Sequence, residues 1–183
     1  MKNGKKDTQC SSRIWFDHND PRNQALRIPR EEQSNQVGEL AAVIAALLVI
    51  PPYQPLKIMT DSKYVTEGLT THLENWENDG WINIKNTKLF KKAAHLLRYQ
   101  PARTTFQWVK GHNGTIGNKE SDHLAKQGAN KNNPDTLDLT IPMEFDLSGA
   151  KLATLTQAKA YKGIQQLKNR GPRMSTTRNI QLT

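Results

Sequence analysis

Cysteine is nearly absent from this chain. Cys10 stands alone among 183 residues, so no disulfide can close within the sequence, and an intracellular, reducing setting is expected, with no compartment specified. Long apolar runs are missing too. A membrane-spanning helix needs roughly 18 consecutive apolar residues, and the longest run here, Leu40 to Pro52, is shorter and ends in two prolines. No membrane association is expected. The basic start (Lys2, Lys5, Lys6) has no apolar stretch behind it and is not a secretory signal. Acidic residues are missing from one region: from Lys151 onward there are seven basic residues and no acidic one, which leaves 19 basic and 17 acidic residues in the first 150. The net charge of +9 therefore sits mostly in the tail. It suits a polyanionic partner or a solvated basic tail equally well.

What is present reads as an α/β chain. Ser12 to Phe16 and Ala25 to Ile28 have strand character and are joined by a polar turn, Asp17 to Asn23. Ser34 to Ile50 has helical spacing of Val37, Leu40, Ala41, Ile44, Leu47 and Leu48, and Pro51 and Pro52 stop it. Leu56 to Thr60 is a buried strand, and Ser62 caps a helix with Tyr64, Val65, Leu69 and Leu73 on one face. Residues 76–84 read as irregular with a turn at Gly80-Trp81, Asn86 to Tyr99 as a helix, and Thr104 to Val109 as a strand. A glycine-rich loop (Gly111 to Gly117) and a short helix (Asn118 to Gly128) follow, and a last helix spans Ser148 to Asn169. The order of elements predicts a mixed sheet flanked by helices. The expected division is a domain over residues 1–131, a linker over 132–147 and a basic helical extension over 148–183.

Three acids carry the chemical interest. Glu39 is the only polar side chain between Gly38 and Ile50. A carboxylate on a helix apolar nearly all round must be paired, protonated or metal-bound, unless it is an exposed first-turn glutamate favoured by the helix dipole. Asp61 directly follows a strand, where ligands of α/β sheets gather, although a plain strand-to-helix turn also uses aspartate. Asp122 opens the helix after the glycine-rich loop. His112, in that loop, could shuttle a proton or be an incidental surface histidine. Carboxylates that converge repel one another unless a cation offsets them. Oxygen-only donors suit Mg²⁺ or Mn²⁺, and no Cys/His spacing points to zinc. Two such ions about 4 Å apart can activate water for phosphodiester hydrolysis.

These residues lie in three segments that resemble those of type 1 ribonucleases H. Residues Gln33-Ser34-Asn35-Gln36-Val37-Gly38-Glu39-Leu40 look like the family's "QTNNxAEL". Asp61-Ser62-Lys63-Tyr64-Val65 looks like "TDSxYV". Trp108-Val109-Lys110-Gly111-His112-Asn113-Gly114, then Gly117 to Asp122 with Leu124 and Ala125, looks like "WVxGHxGxxGNExADxLA". The resemblance covers about Ser12 to Asn130. It implies a ribonuclease H-like fold and Mg²⁺-dependent (or Mn²⁺-dependent) endonucleolytic cleavage of the RNA strand of an RNA–DNA hybrid. It further implies that Glu39, Asp61 and Asp122 are metal ligands, with His112 completing the catalytic set. Asn35 and Gln36 would contact 2′-hydroxyls or the minor groove, and Asn86 would bind a phosphate. Trp76 and Gly80-Trp81 resemble the basic protrusion that grips the DNA strand, so Trp81 would line that channel, or else pack in a core. A monomer is expected.

One departure stands out. The family opens with a central strand bearing "DGS", whose aspartate bridges both metals. Here Asn3-Gly4-Lys5-Lys6-Asp7 resembles the loop after that strand, and Asp7, Asp17 and Asp20 all lack the expected context. The first strand is therefore expected to be missing or replaced. The alternative to an active enzyme is a catalytically inactive hybrid-binding module or a degenerate retroelement-derived remnant.

Overall fold

The computed structural model describes residues 11–28, 34–111, 123–124, 126–128, 130–146 and 149–170. Among these, β1 (Ser11–Ile14) and β2 (Gln24–Arg27) form an antiparallel ladder in the register Ser11↔Arg27 to Ile14↔Gln24. β3 (Leu56–Thr60) and β4 (Thr104–Trp108) form a parallel one, from Leu56↔Thr104 to Thr60↔Trp108. The parallel pair needs a long crossover, and α2 (Lys63–Thr70), α3 (Leu73–Asn78) and α4 (Thr87–Tyr99) supply it. The expected α/β class with both strand senses is found. The four strands make two separate ladders, and no described strand pairs with the other edge of β1 or of β3.

The chain groups into two units. Residues 1–73 with 86–147 form the first, and residues 74–85 with 148–183 the second. The first is built on α1 (Asn35–Val49). Its N-cap Ser34 accepts a bond from the Val37 N–H, and it ends before Pro51. Nine of its residues are buried, and Leu40 and Ile44 are 0% exposed, as expected for a helix covered on most sides. Ile14, Ala45 and Ala46 make one part of this core, with Phe16, Leu26 and Leu137 packed around them.

The segment expected to be a linker is tied into the first unit. The Asp135 N–H donates to the Arg27 carbonyl at 2.9 Å, and its carboxylate accepts from the Arg27 N–H at 2.7 Å. The Lys92 ammonium, on a residue only 4% exposed, donates to the Thr140 carbonyl at 2.7 Å. Lys91 pairs with Asp146 at 2.6 Å, and the rings of His95 and Phe145 meet at 4.8 Å. A buried ammonium must find oxygen acceptors, and this segment supplies them.

In the second unit, α5 (Gln157–Arg170) starts nine residues later than expected, where Thr156 bonds the Lys159 N–H through its hydroxyl and the Ala160 N–H through its carbonyl. A short 3₁₀ turn (Leu152–Thr154) precedes it. The extension is joined to residues 74–85. Lys159 pairs with Asp79 at 2.5 Å, the Asn83 N–H donates to the Gln166 side chain at 2.9 Å, and the Lys151 N–H donates to the Asn78 carbonyl at 2.7 Å. Gly80, at φ +66°, leaves no room for a Cβ against the Gly149–Ala150 backbone.

Ile44 lies in the most tightly enclosed part of α1. Ile44→Ala is expected to cost about 2–5 kcal/mol of stability, seen as a lowered urea midpoint with an unchanged denaturant slope.

Candidate metal and nucleic-acid site

Glu39 lies in the second turn of α1, where the helix passes from exposed to buried surroundings, and it is half-buried. Across from it, β3 ends at Thr60 and the chain turns into α2. Ser62 is the N-cap of that helix: its hydroxyl oxygen accepts from the Val65 N–H at 3.2 Å and the same hydroxyl donates to Glu39 Oε2 at 2.5 Å. Glu39 is thus not an exposed first-turn glutamate. Burial pushes its carboxyl pKa above the ordinary value. The Ser62 bond opposes that rise, the neighbouring Asp61 charge adds to it, and the positive charge of Arg13 opposes it.

Asp61 is exposed, and its backbone is fixed by the Trp108 indole N–H, which donates to the Asp61 carbonyl at 3.0 Å. Lys63 lies over the Trp108 ring at 5.1 Å. Gly111, past the end of β4, faces the Asp61 carboxylate so closely that a Cβ there would fall 2.6 Å from Oδ2. At the ends of the two parallel strands, the indole therefore holds the Asp61 carbonyl, and the bare glycine leaves its carboxylate the space it occupies.

The structure brings Glu39 and Asp61 together. Asp122 and His112 lie outside the described residues. Among the described residues, no group of three or more His, Cys, Asp or Glu side chains is placed to hold a metal. The two acids that do meet are hard oxygen donors close enough to repel, and such a pair matches a hard divalent cation in chemical kind. Asp17 and Asp20 are used elsewhere: Asp17 accepts from the His18 N–H, and the hydrogen-bonded guanidinium of Arg22 lowers the Asp20 pKa to about 2.

The nucleic-acid candidates divide. Asn35 and Gln36 are exposed in the first turn of α1. They stand four and three residues before Glu39, so all three share one helix side. Asn86 adopts the left-handed conformation at φ 56° without capping α4. Its side-chain amide donates instead to the Tyr64 hydroxyl at 3.1 Å. Trp81, in the second unit, is only 7% exposed and packs near Trp76 with ring centroids 6.2 Å apart, which favours its reading as core packing. The segment likened to a basic protrusion carries Glu74, Glu77 and Asp79 against Lys85, and Asp79 takes a cation from α5.

Two groups around Glu39 carry only faint signals in the sequence, Arg13 and the second role of the capping Ser62. The lone charge within the strand Ser11-Ser12-Arg13-Ile14 was the available signal for the first. For the second, it was the hydroxyl directly after Asp61.

Because the Glu39 pKa is raised, the folded state holds this proton more tightly than the unfolded chain does. The stabilising contribution of the proton is full below the unfolded value and is lost as pH rises through the raised folded value. In metal-free buffer, Glu39→Gln, which can still accept from Ser62, is therefore expected to raise the melting temperature at pH 7. The gain should vanish as pH falls below the ordinary glutamate range; a melting temperature lowered at pH 7 would contradict it.

The ribonuclease H family model matches residues 3–130. A ribonuclease H of Schizosaccharomyces pombe is 33% identical over 136 residues, which are 72% of this chain and 50% of that protein. A ribonuclease H of Pseudomonas paraeruginosa is 36% identical over 103 residues, 53% of this chain and 68% of that protein. The chain thus spans about half the length of the first relative and about two thirds of the second. The crystal structure of LC9-RNase H1, a type 1 RNase H with the type 2 active-site motif, is similar in fold, with a TM-score of 0.52 at 18% identity over 84% of this chain and 82% of that one. With the family model covering more than half of its residues, this chain belongs to the ribonuclease H family.

Proposed function

We propose that this chain hydrolyses the RNA strand of RNA–DNA hybrids, using Glu39, Asp61 and Asp122 to hold divalent metal, Mg²⁺ by preference and Mn²⁺ as a substitute. The observation that carries this reading is the approach of Glu39, from a buried helix, to Asp61, at the end of a parallel strand, with Ser62 orienting the first. Two like charges brought this close are unfavourable in a protein that only binds phosphates, because they repel the phosphates as well as each other.

In this mechanism the chain's own groups position and neutralise. Ser62 fixes the Glu39 carboxylate, the Trp108 indole fixes the Asp61 main chain, and Gly111 leaves room for the Asp61 side chain. Asn35 and Gln36, on the Glu39 side of α1, present amides that can bond 2′-hydroxyls and so distinguish RNA from DNA. Asn86, held by Tyr64, offers a polar contact to a backbone phosphate. Divalent ions held by Glu39, Asp61 and Asp122, two in the full mechanism, would supply charge neutralisation and a lowered pKa for the attacking water. Water adds across the P–O3′ bond, leaving a 5′-phosphate and a 3′-hydroxyl that takes a proton. His112 is the proposed group for moving that proton.

Even groups that merely support a metal ligand cost about 10–100-fold when removed. Asp61→Asn is therefore expected to slow Mg²⁺-dependent cleavage of a labelled hybrid by roughly 100-fold or more while hybrid binding persists. If this chain and the variant bind hybrid equally and neither cleaves it, the protein is a hybrid-binding module and the enzymatic reading fails.

A further inference from the structure

We propose that the outward side of α5 is a docking surface for an acidic amphipathic helix of a partner protein, which lays its apolar ridge along Tyr161, Ile164 and Leu167 and sets carboxylates against Lys162 and Lys168. None of these residues is among the groups proposed for cleavage.

The orientation of α5 is fixed from its inward side. The Lys159 ammonium pairs with Asp79 at 2.5 Å, and the Gln166 side chain accepts from the Asn83 N–H at 2.9 Å. Gly163 lies against Ile82, where an added Cβ would come within 3.1 Å of the Ile82 Cδ1. Residues 159, 163 and 166 are three or four apart and so form one helix face, and residues 74–85 cover it. The large side chains that α5 leaves uncovered are apolar: Tyr161 is 64% exposed, Ile164 50% and Leu167 69%. They follow at intervals of three, so they adjoin in one stripe. Single exposed apolar side chains are ordinary, whereas a contiguous stripe marks a surface that another molecule covers.

Charge identifies the occupant. From Lys151 onward the chain has no acidic residue. Lys162 and Lys168 are exposed, and no described carboxylate pairs with either. Lys168 stands one turn beyond Ile164 at the end of the stripe, and Lys162 stands beside Tyr161 along its edge. A helix with an apolar ridge bordered by Glu or Asp matches both features at once, as in helix pairs with an apolar seam and charged flanks. A second copy of α5 does not, because it has no acidic residue and would set lysine against lysine. Nucleic-acid phosphates would meet the lysines but leave Ile164 and Leu167 without an apolar partner. A lipid surface would gain only three apolar side chains, a small area for an interfacial helix.

The test uses the full chain and a fluorescein-labelled synthetic helical peptide with leucines at heptad spacing and glutamates beside them, read by fluorescence anisotropy at low salt. Saturable binding is expected, with amide hydrogen exchange slowed over Gln157–Arg170. Ile164→Ser combined with Leu167→Ser, and separately Lys162→Glu combined with Lys168→Glu, are each expected to weaken it by about tenfold or more, with helicity by circular dichroism as in the parent. If the serine pair lowers helicity, the lysine pair decides. A peptide of the same composition in scrambled order, and one with Lys in place of Glu, should not bind. Absence of saturable binding by the acidic peptide, or equal binding of the scrambled one, overturns the inference. So does a lysine pair that weakens binding of labelled hybrid while peptide binding stays at the parent level, which makes α5 a nucleic-acid contact. Binding to phosphatidylserine vesicles that is lost in the serine pair, with no peptide binding, overturns it in favour of a lipid contact.

Discussion

The hydrogen bond from the Ser62 hydroxyl to Glu39 is the joint on which the site depends. α1 is enclosed on most sides, so a carboxylate in its second turn cannot be left to bulk water. A hydroxyl has one proton to give and lone pairs to accept with, and Ser62 uses both capacities. It donates to Glu39 and accepts from the Val65 N–H. A single oxygen therefore starts α2, ends the turn after β3, and sets the direction of a carboxylate on another helix. Alanine there would lose the cap and the carboxylate partner together, whereas aspartate could still cap but would set a third negative charge beside Glu39 and Asp61.

The family resemblance made Glu39 and Asp61 legible, and the apolar setting of α1 explained why the first is costly. Their supports were harder to see, because each depends on segments far apart in sequence. Ser12 meets Gly38 across 26 positions, Ser62 meets Glu39 across 23, and Trp108 meets Asp61 across 47. Periodicity describes which face of an element is buried and is silent about which neighbour covers it. α1, β3 and β4 were read to within a residue or two because strong apolar spacing ends at proline or at a polar turn. α3 is where the sequence misleads: it assigns Leu73 to the helix capped by Ser62 and reads Trp76 onward as irregular, since Leu73-Glu74-Asn75-Trp76-Glu77-Asn78 is short and polar and none of its residues is buried.

The segment after Asn130 makes contacts that its composition does not announce. Its prolines, asparagines and aspartates look like a linker, and the composition is right for one. The structure gives its polar groups work that composition cannot reveal: Asp135 completes backbone bonding at Arg27, and the Thr140 carbonyl satisfies a lysine that is almost fully buried. Lys92 was the sequence-level clue. It falls on the apolar face of α4, beside Leu89, Phe90 and Ala93, and a lysine there requires an acceptor from outside its own helix.

Gly111 changes meaning in the same way. In the sequence it belongs to a run of glycines around His112 and suggests only a pliable loop. In the structure its missing side chain is what leaves space for the Asp61 carboxylate. β4 and the residues just after it thus contribute to Asp61 twice, through an indole that holds the main chain and a glycine that admits the side chain. A substituent at Gly111 would displace the carboxylate while leaving its carbonyl bonded to Trp108, so the position of Asp61 depends on a residue with no polar side chain at all. The parallel pairing of β3 with β4 is what keeps these groups in register: the ladder brings Thr60 opposite Trp108, and both strands then deliver their next residues to the same edge.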